Sequence, residues 1–100
     1  MKALVVALFL LPAFAQAQCT VLEAQVIGTV TASNPLGGRC EIALQLSHAS
    51  PHVFCPLGVT EGQTVKVVVD AQNGLCAMPG VERGGVMQEN IATGELRLDE

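Results

Sequence analysis

The side chains with most chemistry to offer in this 100-residue sequence are four cysteines, Cys19, Cys40, Cys55 and Cys76, and two histidines, His48 and His52. The closest cysteines stand 15 positions apart. Zinc sites bring their ligands in close pairs such as C-x-x-C, so this spacing argues against a metal cluster. Without such a pair, thiol–disulfide exchange is also poorly supported. An even number of cysteines in a short exported chain reads instead as two disulfides, the staples that a small core needs. Bonded cysteines cannot act as nucleophiles.

His48 and His52 flank Ala49-Ser50-Pro51. Two imidazoles on one loop could reach a single ion, with Met78 or Met87 adding a soft ligand for copper. No carboxylate or third ligand lies beside them in sequence, so they are weak metal candidates and the expected reading is two exposed histidines. Ser47 and Ser50 are too close to the histidines along one segment to build a nucleophile, base and orienting group, and no G-x-S-x-G is present. Glu23, Glu41 and Glu61 could serve as acid and base but read more simply as a solvated face. The expectation is a chain that is not an enzyme, with no cofactor.

The N-terminus sets the compartment. Lys2 precedes an unbroken apolar run from Ala3 to Leu11, then Pro12 and the small-x-small sites Ala13-Phe14-Ala15 and Ala15-Gln16-Ala17. This is the layout of a secretory signal peptide, placed at residues 1–17. A spanning helix needs about 20 apolar residues, more than this run supplies, so no stable membrane insertion is expected after cleavage. Gln18 before Cys19 argues against lipoprotein processing, which wants a small residue there. The address is the periplasm or the medium.

Residues 18–100 then form a single domain, near the lower size at which a core stands alone. Without Lys2 the net charge moves from −4 to −5. Phe54 is the only aromatic residue beyond the signal. Nucleic-acid binding needs clustered cations and stacking rings, and both are missing.

Val21–Ala32 and Cys40–Leu46 alternate apolar and polar residues and read as strands, with a turn at Asn34-Pro35-Leu36-Gly37-Gly38 between them. Ser47–His52 reads as a loop. Val53–Leu57, interrupted by Pro56, reads as a short edge strand. Thr64–Asp70, with four valines, is the clearest strand, and Asn73-Gly74 is a strong hairpin turn leading to a return strand that Pro79 and Gly80 cut short. Arg83-Gly84-Gly85 reads as a flexible link, and residues 79–100 as a possible flexible tail with a last strand. Segments 19–40 and 55–76 share their spacing, which two ordinary turns explain as well as a duplication does.

The long first strand and the stretch Glu-Gly-Gln-Thr-Val-Lys-Val-Val-Val resemble an OB-type barrel over roughly residues 20–70. The expected fold is all-β, a small OB-like barrel of five or six strands with two disulfides, with an immunoglobulin-like sandwich as the alternative. Three cysteine pairings are open. The nested set, Cys40–Cys55 within Cys19–Cys76, is preferred because the index sums match and the parities agree with alternating strand faces. The sequential set comes next and the crossed set last.

Function follows by elimination. An exported binding module with a protein partner (adaptor, inhibitor or envelope-assembly factor) ranks first, with Val53, Phe54 and Leu57 on the edge strand as the contact residues. A periplasmic metal handler using His48 and His52, and a secreted effector, are the alternatives.

Overall fold

The computed structural model describes residues 19–100; the expected signal peptide lies outside the described residues. Five strands follow one another: β1 (Val21–Leu36), β2 (Arg39–Pro51), β3 (Thr64–Asp70), β4 (Glu82–Asn90) and β5 (Leu96–Asp99). They close in the order β1-β2-β3-β5-β4, all pairs antiparallel except β3 with β5, which meet in parallel at Val68 and Arg97. This is a closed OB-like barrel.

Closure demands that β1 coil, because it pairs with β2 along most of its length and with β4 over Val21–Thr29. Two bulges let it do so. Thr31 and Ser47 are the extra residues, and each spends its hydroxyl on the opposing strand: Thr31 Oγ1 donates to the Ala43 carbonyl at 3.3 Å and Ser47 Oγ to the Ile27 carbonyl at 3.1 Å. Bulges increase local twist and re-aim a strand, which barrel corners require. Gly28 sits between them. A Cβ there would lie 2.6 Å from the Gln45 carbonyl oxygen, so the bend is open to glycine alone.

Strand alternation builds the core. Ala24, Val26 and Val30 of β1, Cys40, Ile42, Leu44 and Leu46 of β2, Val67 and Val69 of β3, Met87 of β4 and Leu98 of β5 all point inward and are buried. No polar or charged residue is buried among the described residues. The β1–β2 hairpin turns at Gly37-Gly38, both with positive φ (51° and 80°), as a two-residue hairpin of this hand requires. Asn34, Pro35 and Leu36 belong to the strand rather than to the turn.

Each barrel end is closed by an irregular connection. At the end where β1 begins, segment 52–63 crosses the opening and inserts Leu57 and Val59 into the core. The Glu23 backbone holds it: Glu23 N–H donates to the Cys55 carbonyl, and its carbonyl accepts from His52 and Leu57 N–H, each at 2.9 Å. At the other end, segment 71–81 packs Ala71, Cys76 and Ala77 on the core and bonds to Val30 through Gly80 and Val81.

All four cysteines are bonded, and the pairing is the crossed one: Cys19–Cys55 at the first end, Cys40–Cys76 at the second. The nested preference fails because it set Cys55, Val53 and Pro51 opposite Cys40, Ile42 and Leu44, with 53–57 as a strand. That segment forms no strand beyond a single bridge from Glu23 to Pro56, and the residue opposite Cys40 is Val69 on β3. The outer pair of the nested set would put Leu22, Ala24, Val26 and Val30 opposite Val65, Val67 and Val69, but β1 pairs with β2 and β4, not with β3.

Other expectations are corrected too. Ser47–His52 is no loop, since β2 runs on to Pro51. Past Gln45 the far side of β2 has no β3 partner, so a proline costs no ladder bond there. Asn73-Gly74 does turn, with both φ positive, but only Gln72 and Leu75 pair across it. Residues 79–100 are no loose tail: they supply β4 and β5, and Arg83-Gly84-Gly85 lies within β4.

Candidate binding site

Phe54 is 81% exposed and Val53 85%. Both stand on the turn that follows β2, and three constraints fix that turn. His52 Nδ1 accepts hydrogen bonds from the backbone N–H of Phe54 and of Cys55, each at 3.2 Å. Cys55 is bonded to Cys19, and Pro56 lies against Glu23. The His52 ring stands 6.0 Å from the Phe54 ring, tilted. The two apolar side chains are therefore presented by a stiff frame.

Beside them is an apolar hollow of about 270 Å³ walled by Leu22, Phe54, Pro56, Ile91 and the Cys19–Cys55 disulfide. Ile91, half exposed, occupies a second built turn. Its N–H donates to the Thr20 carbonyl at 3.1 Å, and Asn90 Oδ1 accepts from Ala92 and Thr93 N–H at 2.9 and 3.1 Å. Asn side chains favour such turns because they mimic a backbone acceptor.

Val53 and Phe54 thus fall on one exposed surface, whereas Leu57 does not: it is buried as part of the barrel plug and cannot contact a partner. The edge strand expected there is absent. That Leu22 and Ile91 line one hollow with Phe54 was not legible, because the hollow joins segments more than thirty residues apart. The isolated Ile91 before Thr93-Gly94 was the one available signal.

The polar candidates are dispersed. His48 and His52 lie four residues apart along extended backbone, so their Cα atoms are separated by about 13 Å. His48 Nδ1 lies 3.7 Å from Glu61 Oε1, while His52 Nδ1 is committed to its turn. Among the described residues no group of three or more His, Cys, Asp or Glu is arranged to hold a metal ion. The Ser47 hydroxyl serves its bulge. Glu23 accepts from Gln88 Nε2 at 3.4 Å, Glu61 faces His48, and Glu41 sits on β2 between Asn34 and Val68, so the three carboxylates are not brought together.

Two disulfides fit an oxidising, extracellular type of compartment. No family model, curated protein or solved structure matches the chain.

Proposed function

We propose that this chain is an exported binding module, secreted or periplasmic after loss of residues 1–17, that docks a protein partner through Val53 and Phe54 as an adaptor, inhibitor or envelope-assembly factor. One observation carries the reading. The only aromatic residue beyond position 17 is held outside the core on a rigid turn, although burying it would contribute about 1.5–3 kcal/mol. Aromatic anchors dominate the energetics of protein interfaces, and a pre-formed turn avoids the cost of ordering them on binding. The flanking Ile91 and Leu22 extend the apolar surface, and a cluster of this kind marks interaction sites on small proteins.

The site is a binding surface rather than a catalytic one: its side chains are apolar, and its only imidazole spends Nδ1 on the turn. The metal-handling alternative would need His48 and His52 to converge, against the extended backbone between them. Affinity capture from an extract of the producing cell's envelope and medium tests the proposal. Wild-type protein should retain one or a few defined proteins that the Val53→Ser, Phe54→Ser variant loses while keeping its far-UV circular dichroism. Equal retention by both would refute the role given to these residues.

A further inference from the structure

The outer face of β1 runs on from the Val53 turn. Along it Glu23, Gln25, Ile27 and Thr29 point outward, and their β4 partners are Gln88, Val86, Gly84 and Glu82. On the other flank Ser50 and His48 of β2 face Gln25 and Ile27. Gly84 leaves a notch in this surface, floored by Ile27 and Val86, and the notch opens into a hollow of about 380 Å³ with His48 on its wall. A second hollow, walled by Val53, His52 and Ser50, meets the first at Gln25 and Val86, so one shallow groove connects the Phe54 turn with the notch.

The groove is apolar around Ile27, Gly84 and Val86, and Glu23 lines one end of it. Glu82 stands on the next outward row past Gly84, just beyond the other end, and Glu61 lies beside His48 on the flank. No lysine or arginine of the described residues stands on this face. Arg39, Lys66 and Arg97 belong to β2's start, β3 and β5, on the opposite wall, and Arg39 and Arg97 are paired with Glu95 and Asp70. Arg83 lies on β4 but is turned to the other side of the strand, opposite Gly28, with Nη1 3.3 Å from Glu100. The lysines and arginines are therefore segregated from this face, where Glu23 and Glu82 have no cationic partner and Glu61 has only His48 beside it.

We propose that this face binds an extended polypeptide segment carrying two basic residues about six positions apart with apolar residues between them. The spacing follows from the strand. Six residues separate the rows of Glu23 and Glu82, roughly 20 Å at 3.3–3.4 Å per residue, and alternate side chains of an extended ligand would meet successive rows. Its basic ends face Glu23 and Glu82, and its apolar residues fill the Gly84 notch and cover Ile27 and Val86. Complementary charge at the two ends fixes register and rejects acidic segments. This inference rests on reading the chain as a protein-binding module and names the chemistry of what is bound.

The probe is a fluorescein-labelled, end-blocked peptide, Lys-Ser-Leu-Ser-Leu-Ser-Lys, titrated with the purified disulfide-bonded protein and followed by anisotropy. Saturable binding is expected, weakened at least about fivefold by Glu23→Gln with Glu82→Gln, and as much by Gly84→Val, which fills the notch. At Gly84 an added Cβ would meet Val26 O at 3.3 Å and Ile27 Cγ1 at 3.4 Å, so this variant is checked by circular dichroism, and the charge variants decide if it does not fold. The peptide with glutamate in place of both lysines should not bind, and spermidine should not compete. Equal binding of the glutamate peptide, displacement by spermidine, indifference to the charge variants, or no saturation below about 1 mM would each overturn the proposal. If the peptide fails while a captured partner is still lost with Phe54→Ser, the groove is refuted and the binding-module reading stands. Peptide binding with no partner lost on Phe54→Ser would refute the role of the Phe54 turn and leave the groove.

Discussion

Phe54 and Met87 sit at opposite ends of the exposure range, 81% and 0%, and have opposite jobs. Met87 fills the barrel interior opposite Ala24, so Met87→Ala should cost about 2–5 kcal/mol through lost transfer energy and an uncollapsed cavity. Phe54→Ala should move stability by less than about 0.5 kcal/mol, as exposed positions usually do. Guanidinium unfolding of the oxidised proteins separates the two. A large loss for Phe54→Ala would mean that the ring is structural. Gly28 makes a third case. Its β1 bend brings the Gln45 carbonyl within 2.6 Å of where a Cβ would stand, so Gly28→Ala should destabilise by about 1–3 kcal/mol, as overpacking does. A midpoint like that of the wild type would show that the barrel can relax there. Its place inside the alternating segment Val21–Ala32 set Gly28 apart from the turn glycines, but what it approaches was not legible, because its requirement arises from a neighbouring strand and not from its own backbone angles.

Two irregular segments, 52–63 and 71–81, close the barrel, and one disulfide pins each. Both bridges span 36 positions, so loop-closure entropy gives each about 4 kcal/mol. Their accessibilities differ at one partner: Cys40 is fully buried, whereas Cys76, Cys19 and Cys55 are all partly exposed, so only the Cys19–Cys55 bridge has both its cysteines accessible. Graded reduction followed by alkylation and peptide mapping should therefore label Cys19 and Cys55 before Cys40 and Cys76. Simultaneous labelling would show that the bridges open only with the whole barrel. The elements that the sequence made legible are those with period-two alternation over several residues, β1, β2 and β3. The segments misread are those whose conformation is set from outside. Val53–Leu57 has strand-like composition, yet the Glu23 backbone and the Cys19 bridge hold it as a turn. Gly84 and Gly85 look like a link, yet close approach of the Val26 and Asp99 backbones keeps them in β4 without side chains. The cysteine pairing was out of reach for the same reason, since it depends on which strands are neighbours.

At the scale of the molecule, charge separates into an acidic β1–β4 face and a wall that carries Arg39, Lys66 and Arg97. With a net charge of −5 from residue 18 onward and no aromatic platform beyond the single Phe54, the barrel should not bind nucleic acid despite its OB-like form. Gel shifts with single-stranded DNA and RNA at about 0.15 M salt should be blank, and micromolar binding that weakens with salt would contradict that. Of the candidate site, Val53 and Phe54 were singled out in the sequence as part of an edge strand that the fold does not contain. The groove was hidden, because outward-facing residues of β1, β2 and β4 become neighbours only when the barrel closes. The central claim, that the Phe54 turn is where a protein partner sits, is tested most directly by photo-crosslinking in the producing cell. A photoreactive phenylalanine derivative replaces Phe54 in one strain and Lys66, exposed on β3, in another. A discrete crosslinked protein is expected from position 54 and none in common from position 66. No adduct at 54, or the same adducts from both positions, would contradict that claim.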